Sequence, residues 1–285
     1  MKRVVLCPNP YRDKNFKTVL QAQRILHEAG VETSICLSFD VDKGMPLPQN
    51  ITFSDFTQEL KRADCLICFG GDGTILHASK AATAERLPVL GVNIGTMGFM
   101  AELESTELEL LRLLANDHFE LEERMMLSVR VERDGACVFH EAGLNDAVIT
   151  KGAVARTIQL AVDCDGIEAM NFSGDGLIVC TPTGSTAYSM SAGGPIVEVS
   201  ARNIILTPIC AHDFKTRPIV TSDSRTITVM VGKIGRKNAF LSVDGGRAIK
   251  LGAGDRVTIC TAKEKTLLLR LKERSFFEII HNKFK

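Results

Sequence analysis

The stretch that most constrains this chain runs from Cys65 to Thr74. Five apolar residues, Cys65, Leu66, Ile67, Cys68 and Phe69, read as a short buried strand. The run stops at Gly70-Gly71-Asp72-Gly73-Thr74, and a helical spacing of Ile75, Leu76, Ala78 and Ala81 follows. An acidic residue among glycines at a strand-to-helix turn sits where open α/β sheets place ligands. Glycine lets backbone approach a ligand closely, and the free N–H groups of a helix start suit phosphate. A carboxylate there repels phosphate, so Asp72 calls for a chemical role: a base taking a proton from a hydroxyl that attacks phosphorus. A plain turn with Asp72 as helix cap is the competing reading.

Upstream and downstream the same alternation recurs. Val4–Cys7 and Val31–Leu37 read as strands, Phe16–Ala29 as a helix ended by Gly30, and Leu87–Val92 as a buried strand. Residues 38–53, with Gly44, Pro46 and Pro48, read as a loop; Ser54–Lys61 reads as a short helix capped by Ser54, and Glu104–Asn116 as a longer one. Strands alternating with helices predict a parallel, Rossmann-like sheet. Near residue 119 the pattern changes to paired strand runs, with hairpin signals at Arg133-Asp134-Gly135 and Asp165-Gly166. The expectation is therefore an α/β domain over 1–119, a β-sandwich over 120–271, and a tail, 272–285, returning to the first domain.

Composition narrows the function. The 285 residues carry 34 basic and 34 acidic side chains, so no net field draws the chain to nucleic acid or an anionic membrane. No apolar run has the length of a membrane span, and the start lacks a signal-peptide pattern. Nine scattered cysteines fit reduced thiols and a cytoplasmic location; Cys65 and Cys68, in one strand, face opposite ways.

Four further clusters carry chemistry. Gly91-Val92-Asn93-Ile94-Gly95-Thr96-Met97-Gly98-Phe99 follows a strand, so its loop emerges on the Asp72 edge. Gly143-Leu144-Asn145-Asp146-Ala147 sets an amide beside a carboxylate, a pair able to hold adjacent ribose hydroxyls or simply to form an Asx turn. The run from Gly174 to Ser189 brings a strand into a cluster of hydroxyls with Gly184 and Tyr188, suited to a nucleoside. Ser242-Val243-Asp244-Gly245-Gly246 is a tight turn, equally a hairpin tip or part of a site. His77 lies one helical turn after Gly73, and Arg156 lies in a polar loop.

Together these motifs resemble one family, the NAD kinases, in order and spacing over nearly the whole chain. The glycine turn alone is shared with lipid kinases and phosphofructokinases; Thr181-Pro182-Thr183-Gly184-Ser185-Thr186-Ala187-Tyr188 is far more specific. The resemblance implies transfer of the γ-phosphate of ATP, with magnesium, to the 2′-hydroxyl of the adenosine ribose of NAD. It implies Asp72 as base, Gly73 and His77 along the NAD, and Asn145 and Asp146 on the ribose. Asp175, Thr183, Thr186, Ala187, Tyr188, Ser189, Met190 and Ser191 match the adenosine-binding segment, with Tyr188 against a base. Arg156 matches a basic residue that reaches a neighbouring subunit's site, and family members are usually dimers or tetramers. No residue is assigned as a metal ligand. The chain departs from the family at Gly246, where many members carry glutamine, and at Ala211-His212-Asp213-Phe214. A lipid or sugar kinase sharing the glycine turn, and a non-catalytic NAD sensor, are the alternatives; an exposed membrane-facing patch would favour the first, NAD binding without turnover the second.

Overall fold

The computed structural model describes residues 1–38, 47–95, 98–152, 156–232, 238–273 and 275–284. Residues 39–46 of the expected loop at 38–53, and Thr96 and Met97 of the second glycine motif, lie outside them. The chain divides into two compact units, Met1–Glu123 with Thr266–Lys285, and Arg124–Lys265.

The first unit is built on parallel strands β1 (Arg3–Pro8), β2 (Glu32–Cys36), β3 (Phe53–Ser54), β4 (Cys65–Gly70), β5 (Val89–Asn93) and β6 (Leu103–Glu104). Their order is β6-β5-β4-β1-β2-β3. All six residues of β4 are buried, as a near-continuous apolar run in the middle of a parallel sheet requires. Helix α1 (Lys17–Glu28) buries Val19, Ala22, Ile25 and Leu26, the 3.6-residue stripe, and Gly30 at φ 80° carries the chain out of it. Its start is held by Asp13, which accepts from the N–H groups of Thr18 and Val19 at 2.9 Å. Helix α2 (Phe56–Leu60) is shorter than expected, and Asp55, not Ser54, caps it, accepting from Gln58 N–H at 2.7 Å. Ser54 is instead committed to β3, paired with Cys36. Helix α3 (Asp72–Ala84) follows β4 after a one-residue turn at Gly71. The expected helix at Glu104–Asn116 is a 3-10 helix over Leu108–Asn116. Leu108, Leu111 and Leu114 are its buried residues, and their spacing of three suits the tighter 3-10 turn.

The second unit holds two antiparallel sheets. One is made from β7 (Glu120–Arg133), β8 (Ala136–Gly143), β10 (Ile158–Cys164), β11 (Ile167–Gly174), β15 (Ile227–Val231) and the long β18 (Arg256–Arg270); the start of β7 up to Glu123 and the end of β18 from Thr266 belong to the first unit. The other has the order β14-β13-β12-β9-β16-β17, with β9 (Asp146–Lys151), β12 (Gly176–Cys180), β13 (Asn203–Ile209), β14 (Ile219–Ser222), β16 (Ala239–Val243) and β17 (Ile249–Leu251). Side chains from both sheets, among them Leu127, Leu160, Val229, Ile149, Val179 and Leu241, form one core, so the unit is a sandwich. The two hairpin signals are Asp134-Gly135 (φ 51°, 78°) and Asp165-Gly166 (φ 51°, 82°), the positive φ pairs of type I′ turns. Between β12 and β13 lie a 3-10 turn, Thr183–Thr186, and α4 (Tyr188–Ser191).

The chain ends in α5 (Phe276–Lys283), started by a capping box between Ser275 and Glu278. None of its residues is buried. Its C-terminal end meets the first unit at Phe99, whose ring lies 6.5 Å from that of Phe284 and 5.6 Å from the Lys283 ammonium. Among the described residues no helix is long and apolar enough to cross a membrane.

Candidate functional site

In the first unit, Asp72 opens α3 and its carboxylate is held from outside the helix. Phe99 N–H donates to Oδ2 at 2.7 Å and Met100 N–H to Oδ1 at 3.0 Å. The loop carrying these donors passes so close that a Cβ on Gly98 would stand 2.0 Å from Oδ1 and 2.8 Å from Oδ2. Glycine at 98 is therefore a steric requirement of this clamp. Gly70 and Gly91 serve the same approach from the sheet side. A Cβ on Gly70 would meet Thr74 Oγ1 at 2.4 Å, and one on Gly91 would meet Ile75 Cδ1 at 2.3 Å. Thr74 in turn accepts from Asn9 Nδ2 at 2.8 Å. The start of α3 is thus seated on the edges of β1, β4 and β5, with Asp72 half-buried.

Gly71 and Gly73 behave differently. A Cβ on either would meet nothing within 4 Å, so protein packing does not demand glycine there. The space beside them is open for a ligand. His77, exposed on α3, donates through Nε2 to Ser38 O at 2.9 Å. Asn93 Nδ2 donates to Glu104 Oε2 at 2.8 Å, while its Oδ1 is buried with no hydrogen-bond partner.

In the second unit, three loops meet at one end of the sheet, because Asp146 pairs with Cys180 and Val243 pairs with Ala147. Asp244 is the knot. Its carboxylate accepts from the N–H groups of Leu144 (2.7 Å), Asn145 (2.8 Å) and Asp146 (3.0 Å). Thr181 ties the next loop on: its hydroxyl donates to Leu144 O at 2.6 Å and its N–H to Asn145 O at 2.9 Å. Gly184 closes the join, since a Cβ there would lie 2.1 Å from Asn145 O. The result presents Asn145 Oδ1 buried without a hydrogen-bond partner, an acceptor for an incoming O–H or N–H. Beside it Asp146 is 5% exposed. Burial first, and then the charge of Asp244, push its carboxyl up to about 7.

The sequence-derived residues divide on this frame. Thr183 is buried and accepts from Arg124 Nη1 at 3.2 Å; Thr186 Oγ1 donates to Thr183 O at 3.3 Å. Ala187, Met190 and Ser191 lie along α4 and the residue before it, and Tyr188 presents its ring outward, 45% exposed. Ser189 turns the other way: it is buried, its hydroxyl 2.8 Å from that of Thr207 on β13, and it anchors α4 to the sheet. Asp175 is paired with Lys151 Nζ at 2.6 Å. Arg156 is exposed just before β10. Three contributors went unread in the sequence: Gly98 as the close neighbour of Asp72, Asp244 as the three-donor knot, and Arg124 behind Thr183. Gly98 and Asp244 lie inside glycine-containing motifs and Arg124 in none, and the partner of each is remote in the chain. Among the described residues no group of His, Cys, Asp and Glu is placed to hold a metal by itself.

The neutral-to-ionised change of Asp146 has a measurable consequence. Burial holds its carboxyl up at about 7 in the folded protein, well above the ordinary range of an aspartate, so the folded state favours the protonated form. Its stabilising contribution is full below about pH 4 and is lost as pH rises toward 7. The loss is at most ~4 kcal/mol at 1.36 kcal/mol per pKa unit. Asp146→Asn, a neutral mimic, should therefore gain Tm relative to wild type between pH 4 and 8. Parallel melts with a constant Tm difference across that range would remove the assignment.

Residues 4–119 match the ATP-NAD kinase N-terminal domain, and residues 144–271 the ATP-NAD kinase C-terminal domain. The chain is similar to the NAD kinase of Ruminiclostridium cellulolyticum, 34% identical over 284 residues, covering 99% of this chain and 98% of that protein. It is 41% identical over 224 residues to the NAD kinase of Geobacter sulfurreducens, covering 78% of each. Among solved structures, a yeast NADH kinase complexed with NADH shares the fold at TM-score 0.85 and 24% identity, covering 99% of this chain and 86% of that one. An NAD kinase from Archaeoglobus fulgidus in complex with ATP superposes at TM-score 0.75 with 26% identity, covering 99% and 98%. The chain belongs to the ATP-NAD kinase family.

Proposed function

We propose that Asp72 is the base in this chain's reaction, transfer of the γ-phosphate of ATP to the 2′-hydroxyl of the adenosine ribose of NAD. The activity is that of a phosphotransferase with an alcohol acceptor. A ribose hydroxyl is a poor nucleophile near neutral pH, and a positioned carboxylate that accepts its proton late in the transfer offsets that weakness. The observation that carries the reading is the clamp: two peptide N–H groups fix both oxygens of Asp72 at the start of α3. Each oxygen keeps a lone pair for the acceptor hydroxyl.

Asn145 and Asp146 take the ribose, Asn145 by its unpartnered acceptor and Asp146 by a carboxyl that donates when protonated. Tyr188 offers an exposed ring face to a base, and Thr186, Ala187, Met190 and Ser191 line its approach. Gly73 and His77 lie along the dinucleotide. Thr183 and Ser189 support that segment from within; the donors they satisfy are protein groups. Asp175 contributes through its pair with Lys151, and Arg156 reaches toward a neighbouring subunit in a homodimer or homotetramer. Magnesium arrives on ATP as part of the substrate and offsets the charge between its phosphates and Asp72. The nine cysteines carry no disulfide, in keeping with a cytoplasmic enzyme.

Purified protein with ATP, magnesium and NAD should form NADP, read by a dehydrogenase specific for NADP. Running NADH and inorganic polyphosphate in the same assay assigns acceptor and donor. Stoichiometric NAD binding with no NADP from any donor would instead favour a non-catalytic sensor.

A further inference from the structure

We propose that Arg270, at the end of β18, is a positioning residue for the Asp72 carboxylate, acting through Met100. This rests on the reading of Asp72 as base. Met100 is gripped from both sides: its N–H donates to Asp72 Oδ1 at 3.0 Å, and its carbonyl accepts from Arg270 Nη1 at 3.2 Å. The guanidinium is itself fixed. Its Nε donates to Glu122 Oε2 at 2.6 Å and its Nη1 also reaches Glu102 Oε2 at 3.2 Å, with the side chain only 16% exposed.

Glu102 completes the brace. It is 1% exposed, and its Oε1 accepts from the N–H groups of Leu271 (3.0 Å) and Lys272 (2.9 Å). Its own N–H donates to Gly91 O at 2.8 Å, on β5. The segment from Gly98 to Glu102 is therefore held at three points: Asp72, Arg270 and Gly91. Nothing in the segment's own sequence supplies a side chain that could set the Met100 carbonyl, since Gly98, Phe99, Met100 and Ala101 are apolar. The planar fork of arginine suits the task, because it reaches a carbonyl and two carboxylates at once. A lysine ammonium is a single point and cannot span all three.

The test is a double-mutant cycle between position 270 and position 72, read as kcat and KM. Arg270→Lys keeps a cation beside Glu102 and Glu122, so the buried charge is not stranded. In protein with Asp72 intact it should lower kcat about tenfold, with KM for NAD and ATP within about threefold, the size of a typical coupling between groups in one network. In the Asp72→Asn background the same change should cost nothing further. A companion variant, Arg270→Met with Glu102→Gln, removes the cation and its buried partner together and should repeat the pattern. Loss of kcat by the same factor in both backgrounds shows a merely structural role and overturns the proposal, as does wild-type kcat in Arg270→Lys. If Asp72→Asn alone turns over at the wild-type rate, the base reading fails as well, so the two failures are told apart by that single variant.

Discussion

Asp72→Asn is expected to lower kcat by ~10²–10⁴-fold, the usual contribution of a positioned general base. The change is small in volume but not silent in structure. Both carboxylate oxygens accept a backbone N–H, from Phe99 and from Met100. An asparagine keeps one acceptor and turns an amide N–H against the other donor. Leaving one such donor unsatisfied costs ~1–3 kcal/mol, so a modest fall in Tm accompanies the loss of turnover. NAD binding, assigned to Gly73, His77 and residues of the second unit, should change little. The check is steady-state NADP formation beside NAD affinity by calorimetry. A variant that loses affinity and rate in equal measure would assign Asp72 to binding.

Gly98→Ala is expected to cost about 10²-fold in kcat, although residue 98 is assigned no contact of its own with substrate. The added methyl would lie 2.0 Å from Oδ1, 2.6 Å from Cγ and 2.8 Å from Oδ2 of Asp72, so the carboxylate must move or the loop must lift. Either movement breaks the clamp, and a misplacement of ~1 Å at a reacting group is worth about that factor. Overpacking adds ~1–3 kcal/mol of destabilisation. Gly73→Ala is the control. Its methyl meets nothing within 4 Å, and alanine is the better helix former by ~1 kcal/mol, so Tm should hold or rise. If activity nevertheless falls there, the open space beside Gly73 belongs to a ligand. Gly98→Ala with wild-type kcat would mean that the clamp does not matter to the chemistry.

The features legible in the sequence were those governed by neighbours in the chain. The apolar run ending at Gly70 announced a buried strand feeding a helix, and the structure has β4 and α3 there. The Asp-Gly pairs announced the hairpins because type I′ turns need positive φ at both positions. Asn145 with Asp146, and Gly184 with Tyr188, were legible as two separate motifs; the close approach of Gly184 to Asn145 O joins their two loops, and Tyr188 is exposed.

What the sequence hid depended on partners far along the chain. Phe99 and Met100 lie 27 and 28 positions from Asp72, and no local pattern links a carboxylate to the amides of a later loop. Asp244 looked like a hairpin tip because its three donors lie 98 to 100 positions earlier. Ser189 read as a ligand contact because a helix of four residues carries too little periodicity to tell its buried face from its open one. Ser54 read as a cap because it precedes a polar run, yet pairing with β2 claimed it and left the cap to Asp55.

The carboxylate at position 72 is proposed to take the proton from the ribose hydroxyl. The most direct measurement of that role is a single turnover from ATP to bound NAD in Asp72→Ala protein, followed with increasing formate. Transfer should be slowed at least ~10²-fold without formate, and the rate should climb with formate as the small carboxylate occupies the vacated position. Transfer at the wild-type rate in Asp72→Ala, indifferent to formate, would contradict that role.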